Sequence, residues 1–83
     1  MQVSLPKSFV DDFLEGHFRR YRIDQLQFAK KLVQAYKKQE IFLERPIAKM
    51  KFDLQGASWR VIVIVKENKI TPLLLALKTD KHL

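Results

Sequence analysis

At 83 residues the chain has room for one domain, residues 1–83, and its 47% hydrophobic and 30% charged residues are globular proportions. A domain of this size buries only about 60–65% of its unfolded surface, so it folds with little margin. Its 16 Lys and Arg against 9 Asp and Glu give a net charge of +7, which favours nucleic acid, an acidic protein or an anionic surface as partner.

There is no cysteine, so disulfide frameworks and thiolate nucleophiles are excluded, and two histidines without clustered ligands argue against structural zinc. No apolar run approaches the roughly 18 residues of a membrane span, and the N-terminus lacks a signal-peptide pattern. This composition suits a cytoplasmic protein in a reducing compartment, with no cofactor.

Met1 to Leu5 alternates weakly and predicts a short strand. Pro6 suits the first turn of a helix, where its missing N–H goes unneeded. Phe9, Val10, Phe13 and Leu14 follow at helical spacing, and Gly16 is placed to end that helix in a left-handed cap. The basic-aromatic cluster Phe18-Arg19-Arg20-Tyr21-Arg22 comes next. Tyr21 there suits either stacking on a base or packing in the core. His17 carries no functional assignment.

Ile23-Asp24-Gln25-Leu26-Gln27-Phe28 is a helix start. Asp24 can cap, Gln27 can complete the box, and Ile23 can staple onto Phe28. Leu26, Ala29, Leu32, Val33 and Tyr36 mark the predicted apolar face through to about Lys38. Lys30, Lys31, Lys37 and Lys38 fall on the solvent side, the last two near the negative end of the helix dipole.

After a connector containing Pro46 the period changes to two. Met50, Phe52 and Leu54 alternate with Lys49, Lys51 and Asp53, as in a strand with one wet face. Gln55 to Ser58 reads as a turn. Trp59-Arg60-Val61-Ile62-Val63-Ile64-Val65 then reads as a central strand covered on both faces, with one arginine inside an apolar run. Lys66 to Lys69 forms the next turn. Ile70 to Leu77 is a third strand in which Pro72 implies an edge or bulge near the start. The sum is an α+β fold: a two-layer sandwich with a short N-terminal strand, two helices and a three-stranded antiparallel meander.

Phosphate-cradling glycine loops, zinc-protease motifs and nucleophile elbows are absent. The remaining candidates are cations on the sheet and its ends: Lys49, Lys51, Arg60, Lys78, Lys81 and His82. In an antiparallel meander the start of the second strand lies beside the ends of the first and third, which predicts Arg60, Lys78 and the Asp53 end of the first strand as neighbours. Lys49 and Lys51 share a wet face and can follow a row of phosphates. The same lysines would equally well serve as a solvated face that deters edge-to-edge aggregation.

The order of elements, the opening Val3-Ser4-Leu5-Pro6-Lys7-Ser8-Phe9, the stretch Phe52-Asp53-Leu54-Gln55-Gly56-Ala57-Ser58-Trp59-Arg60-Val61 and the strand Ile70 to Lys78 resemble the RelE/ParE superfamily of bacterial toxin–antitoxin toxins. The resemblance spans nearly the whole chain. It implies a RelE-like fold and a toxin that inhibits translation by cutting messenger RNA in the ribosomal A site. The implied partners are a cognate antitoxin, the ribosome and its mRNA, and no metal is implied. Arg60 matches the central-strand arginine of the family, Lys51 and Lys49 match lysines of the preceding strand, and Lys78 matches a basic position after the last strand. Thr79 falls where many relatives place an arginine. His82 takes the place of the terminal tyrosine or other acid/base group, with Lys81 beside it.

Cleavage by attack of the 2′-OH needs a proton acceptor, stabilisation of charge on the crowded phosphate, and a proton for the leaving 5′ oxygen. The resulting assignment is Arg60, Lys51 and His82 as catalytic residues, with Lys49, Lys78 and Lys81 binding RNA. Two other readings stand beside it: a ParE-like inhibitor of DNA gyrase with the same fold, and a non-enzymatic module whose basic face holds RNA or an acidic protein.

Overall fold

The computed structural model describes residues 1–38 and 41–79. The elements run β1 (Gln2–Val3), α1 (Lys7–Phe9) continuing as a π-helix (Val10–His17), a 3-10 turn (Arg19–Tyr21), α2 (Gln25–Lys38), β2 (Ile41–Glu44), β3 (Ile47–Leu54), β4 (Ala57–Lys66) and β5 (Lys69–Leu77). The strands form one mixed sheet in the order β1-β5-β4-β3-β2. All pairings are antiparallel except β1 with β5, where Gln2 lies opposite Lys69 and Val3 opposite Ile70. The architecture is α+β, with the helices packed on one face of the sheet.

Two tight turns set the register of β3, β4 and β5. Gln55 and Gly56 take φ of 51° and 76°, and Glu67 and Asn68 take 53° and 59°. Such left-handed pairs match the twist of the strands they join. With the turns fixed, Lys51 pairs with Arg60, Phe52 with Trp59 and Asp53 with Ser58. On the other side of β4, Arg60 pairs with Ala76 and Val61 with Leu75. The partner of Ile62 is Leu74 and that of Val63 is Pro72, so Leu73 is a bulge residue. The irregularity that Pro72 implied is therefore present, one residue further on.

The core lies between the helices and the inner side of β3, β4 and β5. Phe28 and Leu32 of α2 are fully buried, as are Trp59, Val61 and Val63 of β4, Met50 of β3, and Ile70 and Pro72 of β5. The Trp59 indole Nε1–H donates to the Leu54 carbonyl at 2.9 Å, which satisfies the polar end of a buried ring. At the start of α2, Asp24 Oδ1 accepts the Gln27 backbone N–H at 3.0 Å, the expected cap.

Four local expectations change. The connector before Pro46 contains β2, which forms a hairpin with β3 and makes the sheet one strand wider. Four residues beside a proline give too short a periodic signal to mark a strand. The strand Trp59 to Val65 is covered on one face only: Arg60, Ile62 and Ile64 are half-exposed because no helical layer lies on their side. Leu26 is 64% exposed, since the inward face is fixed by Phe28 and Leu32 and a residue two positions before Phe28 lies more than half a turn away. Gly16 sits inside the helix and does not cap it. Its role is close approach, because a Cβ there would collide with the carbonyl oxygen of Asp11. The left-handed residue that redirects the chain is Arg22, at φ 52°.

Candidate nucleic-acid interface

Strand alternation puts Lys49 and Lys51 of β3 on the outer side of the sheet, the side of Arg60. Lys51 stands directly across from Arg60, and Lys49 across from Ile62. Arg60 is half-buried, its Nε shielded from solvent, with the small residue Ala76 on its other flank. The arginine is thereby anchored on a rigid central strand. Like charges directly opposed destabilise a sheet pair, so the Lys51–Arg60 pair concentrates positive potential at some expense of stability.

Lys78 extends the ladder beyond β5: its N–H donates to the Ser58 carbonyl at 2.8 Å. Lys51, Asp53, Ser58 and Lys78, together with Phe52 and Trp59, line one pocket of about 210 Å³. Within it, the Ser58 hydroxyl donates to Asp53 Oδ1 at 2.5 Å. Lys49, Lys51 and Lys78 form no ion pair with a described carboxylate. Their ammonium groups remain available to an anion.

The expected rim is thus present for Lys49, Lys51, Arg60 and Lys78. Lys81 and His82 lie outside the described residues. Asp53 and Ser58 join the site as a carboxylate and a hydroxyl to which residue spacing alone gives no role. A two-residue turn at Gln55-Gly56 is the signal that pairs them, whereas a longer turn through Ser58 conceals it. Tyr21 packs against Trp59, with ring centroids 4.9 Å apart at 82°, so core packing is the alternative realised.

Beyond the cations, the outer face turns apolar. Ile62 and Ile64 are half-exposed, and Ile47, Leu73 and Leu74 are 37%, 41% and 46% exposed. Among the described residues no group of three or more His, Asp or Glu side chains is placed to hold a metal ion, and no helix is long and apolar enough to cross a membrane. Comparisons with protein-family models, curated proteins and solved structures find no match.

Proposed function

We propose that the chain is a RelE/ParE-like toxin that cuts messenger RNA on the ribosome, with the outer face of the sheet as its RNA site. The observation that carries the reading is the juxtaposition of Lys51 and Arg60 across β3 and β4, with Lys49 on the same face and Lys78 at the rim. Arg60 holds two oxygens of the scissile phosphate through parallel hydrogen bonds and stabilises the charge that grows there. Lys51 is its cross-strand neighbour and, as the neutral amine, the candidate acceptor of the 2′-OH proton. The alkoxide so formed attacks phosphorus, and the P–O bond to the 5′ oxygen breaks. The products are a 2′,3′-cyclic phosphate and a 5′-OH, with the leaving oxygen protonated by His82. Lys49 and Lys78 hold the flanking phosphates, and Lys81 is assigned the same role.

Asp53, hydrogen-bonded to Ser58 in the same pocket, adds a carboxylate that orients the Ser58 hydroxyl beside Lys51 and Lys78. The apolar strip of Ile62, Ile64 and Leu74 next to the cations is the kind of surface that an antitoxin covers with a helix or an added strand. The reading makes the protein a cytoplasmic one, held inactive by that partner.

Induction of the chain in a bacterial host, with transcript ends mapped, tests this. Translation-dependent cuts within codons are expected, and Arg60→Ala should reduce them about 100–1000-fold. Intact transcripts with altered supercoiling would replace the reading by gyrase inhibition. Normal growth would leave only a binding module.

A further inference from the structure

A second cationic surface lies at the same end of the molecule, on the helical layer. Arg19, Arg20 and Arg22 are all exposed, and none forms an ion pair with a described residue. Asp24, the carboxylate next in sequence, accepts the Gln27 N–H through Oδ1 in its role as helix cap. Three arginines within four residues, without a described acidic partner, are a concentrated positive patch in a chain already at +7.

The patch is held rigidly. Phe18 and Tyr21, which bracket Arg19 and Arg20, both pack edge-on against Trp59 at 5.0 and 4.9 Å. The guanidinium of Arg20 lies 5.1 Å from the Tyr21 ring centre. Gln55 in the β3–β4 turn donates from Nε2 to the Arg22 carbonyl at 3.4 Å, tying the segment to that turn. The same turn borders the pocket of Lys51, Asp53, Ser58 and Lys78. Cations therefore flank the β3–β4 turn from both layers, with the polar Gln55 and Gly56 between them. Arginine prefers phosphate because its fork meets two oxygens at once, and pre-ordering limits the entropy lost on binding.

We propose that Arg19, Arg20 and Arg22 form a second RNA contact, which grips the sugar-phosphate backbone of folded RNA beside the cleavage face. The proposal rests on the reading of the protein as an RNA-cutting toxin and adds a docking surface to it. Cations carried on two layers around one turn, rather than in a single row, suit the backbone of a duplex better than one extended strand.

The test is binding of a labelled RNA stem-loop to the full chain across a salt series. Arg19→Gln/Arg22→Gln should weaken binding at least tenfold at low salt and reduce the logarithmic salt slope by about two. The charge-matched control is Lys66→Gln/Lys69→Gln, in the hairpin at the other end of β4, and it should change affinity less than threefold. Trp59 emission reports folding, and if the Arg22 substitution disturbs it, Arg19→Gln alone carries the test with a slope change of about one. An arginine variant that binds no more weakly than the lysine control overturns the proposal. If transcripts are cut normally in cells by such a variant that also binds normally, the corner fails and the nuclease reading stands. If no cuts occur with the wild-type chain but the stem-loop is held through these arginines, the nuclease reading fails and the corner stands.

Discussion

Lys51 and Arg60 occupy opposite positions of adjacent strands, two cations facing one another on the outer side of the sheet. Opposed like charges there weaken the pairing by roughly 0.2–1 kcal/mol. Lys51→Gln is therefore expected to raise stability within that range in urea titrations while lowering the proposed RNA cleavage about 100–1000-fold. A variant that is less stable, or that cuts as well as the wild type, would remove Lys51 from the site.

The two glycines should respond differently to alanine. At Gly16 the added methyl meets the Asp11 carbonyl, and overpacking of this kind lowers stability by about 1–3 kcal/mol. At Gly56 there is open space but φ is 76°, so the loss is the left-handed strain of about 1–2 kcal/mol. Helical content should register the first change, and urea midpoints both.

Asp24→Ala removes the acceptor for the Gln27 N–H and should lower stability by about 1 kcal/mol, with Asp24→Asn nearly neutral. Equal losses for the two variants would mean that the cap hydrogen bond is not the source.

Trp59→Phe keeps a large ring but leaves the buried Leu54 carbonyl without its donor. A loss of about 1–3 kcal/mol is expected in thermal or urea unfolding. The same variant should loosen Phe18 and Tyr21, which lean on the indole, and so raise amide exchange in the 3-10 turn.

Much of the sheet was legible because its residues alternate cleanly: Met50, Phe52 and Leu54 against Lys49, Lys51 and Asp53 require a strand with one wet side. Asp24 announced α2 through a local hydrogen bond that sequence alone can anticipate. The sidedness of β4 was not legible, because Val61 to Val65 is apolar at every position and only the missing second layer distinguishes Ile62 from Val63. Gly16 misled because a glycine after a helical stripe serves equally as a left-handed stop or as a point of close contact. The site was legible as far as strand direction carries: Lys51, Arg60 and Lys78 meet as antiparallel geometry demands. Asp53 and Ser58 needed the turn length as well, and the arginine corner needed Trp59 as its anchor.

In β4 the residues numbered 59, 61 and 63 fasten the strand to the helices, while 60, 62 and 64 look outward. Duties are divided by parity, so neither set need compromise for the other. Substitutions on the outward set can retune what the surface recognises while the inward set goes on specifying the same fold. A chain this small can thereby change its ligand by drift without first surviving a damaged interior.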